Sequence, residues 1–543
     1  MYIIRWIKVN RKNIFQLIKR RKMKKYLKFL LLLLSLVIIL AGCAKPQAEV
    51  TQAPIESEKT EEVETVETTK PQRTDPLLTS YVQQITTADP HKNTGILAAN
   101  QILWQTFEPL VRVFSDRELM LVAESYEVSE DGLVYTFHIR ENAKFHNGDP
   151  VTADDVVWSV KRAMETPYFA SKVAAMKDIT KVDDKTVKLE LSYANPYFMH
   201  GLSEVCIISK RAVEEAGEDY GTKAVDSGTG PYRQTFFKGD TKVELEAYPD
   251  YYLGEAPIKK VTFTLIIDAS TLYVAFQNGE LNFTTIPESN WQEMVDTGKY
   301  GYGLMETDHT TYLLINNSRP PFDNQLVRQA LNYAINREEI VLLAYENLAD
   351  VAYLQSNVAN VFGASLDGIE KYEYNPEKAK ELLKQAGYEN GFDMTLTSAN
   401  IYFFEKIANA VQAQLKEVGI NVTIEILEAS AARAKYPAGE FDLGVMGLNV
   451  DKTVDFLYVY YDPVNGNKYM QVTDTKPLEL LESARHELDP NKRLEIYKEF
   501  NQYTNDQAFT VPLFHRFMPY AWDKDLNIEL GVDYFYIYDF SWN

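Results

Sequence analysis

Asp451 lies in the run Gly439 to Asp455, GEFDLGVMGLNVDKTVD, where a strand over Phe441 to Met446 is predicted to end in Gly447 and a polar loop. A carboxylate carried on such a loop can pair with an ammonium group, since both charges are otherwise costly to desolvate. Reactive constellations are another matter. The chain has no G-x-S-x-G elbow, no H-E-x-x-H and no G-x-x-x-x-G-K-[ST]. Its seven histidines (His91, His138, His146, His200, His309, His486, His515) are scattered without ligand spacing. With 77 Asp and Glu, acidic pairs arise by chance and read as solvated faces. His91 closes the turn Thr86-Thr87-Ala88-Asp89-Pro90 and reads as a structural turn residue, while Arg433 and Lys435 read as surface charges. The residues therefore point to binding and not to an enzyme, with no catalytic group, cofactor or metal site expected.

The elements that must position such a loop follow an α/β pattern. Leu133 to Ile139 is β-branched and aromatic and reads as a strand behind the Asp131-Gly132 turn. Thr152 stands as an N-cap, with Asp154 and Asp155 in the first helical turn and Val156, Val157, Val160, Ala163 and Met164 at helical spacing. Gly228-Thr229-Gly230-Pro231-Tyr232 suits a tight backbone crossing. Phe322 to Val341 reads as one amphipathic helix capped by Asn324. Tyr374 to Tyr388 is a helix with Asn375 as cap, Pro376 at its first position and Gly387 as its stop. Ile407 to Gly419 is a helix leading into the strand INVTIEIL, and Asn491 to Asn505 is a last helix. Helix and strand in alternation indicate an α/β lobe.

The wording of Leu121 to Ala163, in particular SEDGLVYTFHIRENAKFHNGDPVTADDVVWS, closely resembles the signature of the family 5 extracellular solute-binding proteins, the oligopeptide and dipeptide receptors of ATP-binding-cassette importers. TTADPH and GTGPY match the family in order, so the resemblance runs from about residue 76 to the end. It implies a two-lobed fold of the periplasmic binding protein type (type II, large, with an extra subdomain) around a ligand cleft. Lobe I would take 76–310 with a subdomain inserted at about 116–226, lobe II 311–504, and 505–543 would return to lobe I, with hinge strands near Leu313 and Val511. In the family's peptide receptors a Gly-Trp pair ends one strand, and an aspartate three residues after the Trp grips the peptide's α-ammonium. Here the pair is Gly447-Leu448 and the aspartate is Asp451, with Asn449 between; Leu448 in place of Trp removes the usual stacking wall. The resemblance also brings Thr284, Thr285, Asn93 and Thr94 to the cleft border. It carries over no residue for a ligand carboxylate. The implied partners are short peptides and the membrane permease of the importer. Nickel chelates, opines, oligosaccharides or haem are the alternative ligands, and adhesion or signalling the alternative use of the scaffold.

The ends of the chain set the compartment. Met23 to Cys43, MKKYLKFLLLLLSLVIILAGC, has a basic start, an apolar core and a small-residue site, as an export signal does. Leu40-Ala41-Gly42-Cys43 resembles a bacterial lipobox, which implies a diacylglyceryl thioether on Cys43 and a cell-membrane location on the extracytoplasmic face. Residues 1–42 then form the signal, with Met23 as a natural start. Ala44 to about Asp75 is rich in Thr, Glu, Gln and Pro and reads as a disordered tether. With Cys43 lipidated, Cys206 in VCII is alone and reads as a small buried hydrophobe. The 543 residues carry a net charge of −21. Without the first 42, which hold 11 basic residues and no acid, 45 basic residues face 77 acidic ones. So acidic a surface argues against nucleic acid. A monomer is expected.

Overall fold

The computed structural model describes residues 73–92, 97–114, 117–355, 361–449, 454–464, 466, 468–532 and 534–543. The export signal, Cys43 and nearly all of the tether lie outside the described residues.

Strand β1 (Leu77–Tyr81) opens the fold. The chain then runs through a ribbon of β2 (Val111–Val113) and β3 (Glu118–Met120) into β4 (Ala123–Val128) and β5 (Val134–Ile139). Helix α1 (Ala153–Ala163) follows, with the cap its sequence predicts: the Thr152 hydroxyl accepts from the Asp155 amide while the Asp155 carboxylate accepts from the Thr152 amide. Val156, Val160 and Ala163 are buried; Val157 and Met164 are half-buried. β6 (Met176–Asp183) and β7 (Thr186–Leu191) complete an antiparallel sheet of order β4-β5-β7-β6, which α1 covers. β8 (Tyr232–Lys238), β9 (Lys242–Ala247) and β10 (Lys260–Leu265) then join β1 in a second sheet of order β1-β10-β9-β8.

Just before β8 the GTGPY run crosses residues 105 and 106 at contact distance. A Cβ on Gly228 would lie 2.2 Å from the Thr106 carbonyl oxygen, and one on Gly230 would lie 2.8 Å from that of Gln105, so side chains are excluded there. The turn around His91 is tied down from below. Asp89, wholly buried, accepts from both ends of the Arg162 guanidinium at 3.1 and 2.6 Å. His91 Nδ1 accepts from Arg162 at 3.0 Å, and its Nε2–H donates to the Cys206 carbonyl at 2.8 Å. That pattern fixes a neutral imidazole and makes His91 a structural residue; Cys206 itself is a free, buried thiol.

Seven further strands form one central sheet: β11 (Phe283–Thr285), β12 (Tyr300–Ile315), β13 (Ala349–Val351), β14 (Phe392–Ala399), β15 (Ile420–Leu427), β16 (Leu443–Asn449) and β17 (Thr510–Asp523); Leu526–Asn527 and Ser541–Trp542 pair separately. The order of the central sheet is β11-β17-β12-β16-β14-β15, with β13 also paired to β17. β14 and β15 run parallel, joined by the crossover helix Tyr402–Glu417, while β12 lies between β16 and β17 and is antiparallel to both.

Two expectations need correction. The single helix over Phe322 to Val341 is two, Gln325–Ala334 and Arg337–Tyr345. Asn324 caps the first as expected, but Ile335 turns extended and Asn336 caps the second by accepting from the Glu339 amide at 3.1 Å. The break lets the buried Arg337 reach the Pro512 carbonyl at 2.6 Å and that of Tyr372 at 2.7 Å. The strand expected over Phe441 to Met446 begins at Leu443 and runs on to Asn449, because Gly447, Leu448 and Asn449 pair with Thr311, Thr310 and His309.

Three buried histidines and the half-buried His515 give stability a direction in pH. Burial pushes His91, His146 and His515 down to about 4 and His309 well below its ordinary value. Each folded-state value is depressed, so the unfolded chain takes up protons that the folded chain refuses. Their contribution is complete above about pH 6.5 and is lost as pH falls towards 4, at up to about 1.4 kcal/mol per pH unit for each group. Burial raises the Glu108 and Asp539 carboxyls, which work the other way, but they are two groups against four. Urea midpoints should fall between pH 7 and pH 4.5, and His146→Gln should flatten that fall. A pH-independent midpoint over this window contradicts the neutral, buried assignment.

Candidate functional site

β12 is apolar at its end, YLLI, but its middle reads ETDHTT. At that stretch its register with β17 slips: Glu306 pairs with Phe517 and Thr310 with His515, so three residues of β12 face Arg516 alone. Such a bulge re-aims side chains. The Thr307 hydroxyl holds it by donating to the Arg516 carbonyl at 2.7 Å and accepting from the His309 amide at 3.2 Å. Thr307, Asp308, His309, Thr310 and Thr311 are all buried there. On the other flank β16 places Gly447 against the His309 ring. A Cβ on Gly447 would stand 2.6 Å from His309 Nε2, 2.8 Å from its Cε1 and 3.2 Å from Phe404 Cζ. Glycine is thus required by the imidazole lying over the strand.

This patch is short of protein partners. His309 Nδ1, the Thr310 and Thr311 hydroxyls, His515 Nδ1 and Arg516 Nε are buried and meet no hydrogen-bond partner among the described residues. Folded proteins pair nearly all such groups, so a cluster of them on two adjacent strands marks a surface equipped to meet something else. His309 is held neutral by burial and then by the charge of Arg516, and His515 is held neutral by burial. The patch therefore offers two neutral imidazoles, two hydroxyls and one guanidinium. It can donate and accept hydrogen bonds to a polar ligand. It offers no nucleophile next to a base, and no three metal-ligating side chains cluster among the described residues.

The structure places the residues named from sequence unevenly. Gly447, Leu448 and the backbone of Asn449 border the patch through their pairing with β12. Leu448 is half-buried against the cluster built by Tyr312, Val454 and Leu457. Thr284 is buried on β11, its hydroxyl sharing a 2.6 Å hydrogen bond with that of Ser80, and Thr285 beside it is half-buried, paired with Tyr520. Asp451, Asn93 and Thr94 lie outside the described residues, as does Cys43. Lys435 is bound to Glu425 at 2.6 Å, which agrees with a surface role. His309, His515 and Arg516 were not singled out as a site. The signal available was the polar run ETDHTT inside an apolar strand, and HR inside TVPLFHRFMPY.

The model of the bacterial extracellular solute-binding proteins, family 5 (middle region), matches residues 120–468. The haem-binding protein A of Haemophilus influenzae is 28% identical over 459 residues, covering 78% of this chain and 83% of its own. The dipeptide-binding protein of Escherichia coli is 29% identical over 432 residues, covering 73% and 80%. Among solved structures, the substrate-binding protein CtaP of an ABC transporter from Listeria monocytogenes superposes with a TM-score of 0.79 at 23% identity, over 86% of this chain and 99% of its own.

Gly447→Ala should cost about 1–3 kcal/mol, because the new methyl meets the His309 ring in a packed sheet. Adding His309→Ala should recover much of that loss, a coupling that denaturation of the four variants in a double-mutant cycle reads directly. Additive losses would mean that the ring is not what excludes a side chain.

Proposed function

The chain belongs to the bacterial extracellular solute-binding proteins of family 5, and from that premise we propose that it captures short peptides outside the cell membrane and hands them to the permease of an ABC importer. The observation that carries the ligand reading is the polar patch at the β12–β17 bulge, bordered by β16. Asp451 follows the last described residue of β16 by two positions. A peptide's main chain presents the donors and acceptors that hydroxyls and neutral imidazoles can meet whatever its side chains are, and an extended peptide next to a strand needs little more. The ionised Asp451 would take the α-ammonium, with Asn449, Thr285, Asn93 and Thr94 around the ligand. The dipeptide-binding relative supports this reading. A second reading, haem, is favoured by the haem-binding relative and by the paired imidazoles.

The lobe assignment of 76–310 with 505–543 against 311–504 is part of the proposal. Its hinge would lie where Leu313 pairs with Val511. So is lipid attachment at Cys43, a two-chain anchor of the kind stable membrane association needs.

Asp451→Asn keeps size and one acceptor but removes the charge. Leaving an ammonium without its counter-ion should weaken binding by about 3–5 kcal/mol, a hundredfold or more in Kd. Acetylating the peptide's amine should weaken binding to the native chain and matter much less in the variant, since both changes remove one contact. Calorimetry of the four combinations measures the coupling. Equal affinity of Asp451→Asn for free-amine peptides would place the amine elsewhere, and failure of every peptide in a mixed pool would remove the peptide reading.

Cys43→Ala should release the protein from membranes or leave its signal uncleaved, read by fractionation and N-terminal mass. Membrane attachment with a normally cleaved N-terminus would rule out the lipid.

A further inference from the structure

A hollow lies between the stretch 171–201 and the helices that follow β16. Its larger part, about 510 Å³, is walled by Lys172, Tyr193, Tyr197, Phe456, Tyr458 and Arg485. A smaller part, about 260 Å³, is walled by Phe114, Arg117, Phe362 and Arg493. Tyr197 and His200 line both, so the two parts meet at those residues. The volume is that of a drug-sized ligand site.

The lining has one recurring chemistry, a cation laid on an aromatic face. The Arg485 guanidinium stands 3.5 Å from the centre of the Tyr458 ring. That of Arg493 lies 5.4 Å from Tyr197 and 5.3 Å from Phe362, and Arg117 lies 5.7 Å from Phe114. Flat rings backed by guanidinium groups suit a flat ring that carries negative charge, since stacking and charge then act together.

Acids also stand at this lining, with Glu482 accepting from the Tyr458 hydroxyl at 3.1 Å. Lys172 meets Glu204 at 2.7 Å and Arg117 meets Asp539 at 3.6 Å, while Glu118, in the smaller part, accepts from the Tyr126 hydroxyl. Arg493 is only 8% exposed. One of its terminal nitrogens donates to the Glu487 carbonyl at 2.8 Å, and its Nε has no hydrogen-bond partner. A buried guanidinium held by a neutral carbonyl is under-compensated, and an anion is what compensates it. In a chain with net charge −21 such a lining runs against the composition.

The hollow shares an apolar cluster with the end of β16. Leu448 packs on the same apolar cluster as Tyr197, Phe456 and Tyr458. We infer that the hollow receives an aromatic group bearing a carboxylate or comparable anion, as part of the solute this receptor captures. The inference rests on the receptor role and not on the peptide reading.

Two dyes with the same rings test it: 8-anilinonaphthalene-1-sulfonate, which carries an anion, and N-phenyl-1-naphthylamine, which does not. Both are titrated by fluorescence into the exported protein. The sulfonate should bind about tenfold or more tighter than the neutral dye, the size of a charge-assisted contact. Lys172→Gln with Arg485→Gln should abolish most of that preference, and Ala174→Trp, which intrudes on the larger part, should weaken both dyes. An unchanged melting temperature certifies the fold of each variant, and Arg485→Gln alone serves if the double variant does not fold. Equal affinity for the two dyes, or a sulfonate affinity indifferent to these substitutions, overturns the inference. Peptide capture on the same samples separates the readings: a persistent preference for the sulfonate with no peptide bound removes the peptide reading and leaves this one standing.

Discussion

The antiparallel pairing of β12 with β17 is the constraint on which the rest of the structure depends. Alternate side chains of one strand leave on opposite faces of a sheet, and both strands use this to serve separate cores. Leu313 and Ile315 enter the cluster that also takes Val511 and Leu513, while Tyr312 and Leu314 enter the one containing Phe441 and Tyr497. At the other end Met305 and Tyr520 enter the cluster around β1 and β10. A one-residue slip between these strands would exchange the faces and empty all of these cores together. The register is therefore strongly determined at both ends, and the bulge can exist only between them.

That placement explains how a folded core tolerates ETDHTT. A buried hydroxyl or imidazole without a partner costs free energy, and nothing in β12 alone offsets it. The flanking apolar runs supply the stability, and Thr307 uses its own hydroxyl to hold the displaced backbone. Neutral imidazoles are the least expensive form in which His309 and His515 can be buried, and burial itself imposes that form. The result is a polar surface held rigidly by strands, which a loop could not hold as well.

What could be read from the sequence was what depends on near neighbours. The Thr152, Asn324 and Asn375 caps are fixed within a few residues of chain and the structure contains each of them, while the GTGPY glycines announced a close crossing without naming its distant partners, residues 105 and 106. The long resemblance around SEDGLVYTFHIRENAKFHNGDPVTADDVVWS carried the family and its fold. The misses share a cause. Ile335 continues the apolar spacing of the helix before it, and only the distant carbonyls of Pro512 and Tyr372, reached by Arg337, account for the break. β16 continues past Gly447 because Thr310 and His309 supply partners from far earlier in the chain. His309, His515 and Arg516 become neighbours only through the β12–β17 register, so no local pattern could assemble them.

On the proposed function, the same register would divide the labour of recognition. The patch at the bulge is made of hydroxyls, imidazoles and strand backbone, groups that meet most polar main chains equally well. A surface of that kind gives affinity without much choice. Choice has to come from side chains further out. At position 448 the chain has a leucine, which packs on the same cluster as Tyr197 and Tyr458 and has no ring of its own. Stacking surface near the end of β16 is instead supplied by Tyr197, Phe456 and Tyr458, and charge by Arg485 and Arg493, from two stretches of chain on either side of a hollow. On the proposed reading, selectivity would rest on walls built on separate elements, where substitutions leave the β12–β17 register that holds the fold together undisturbed.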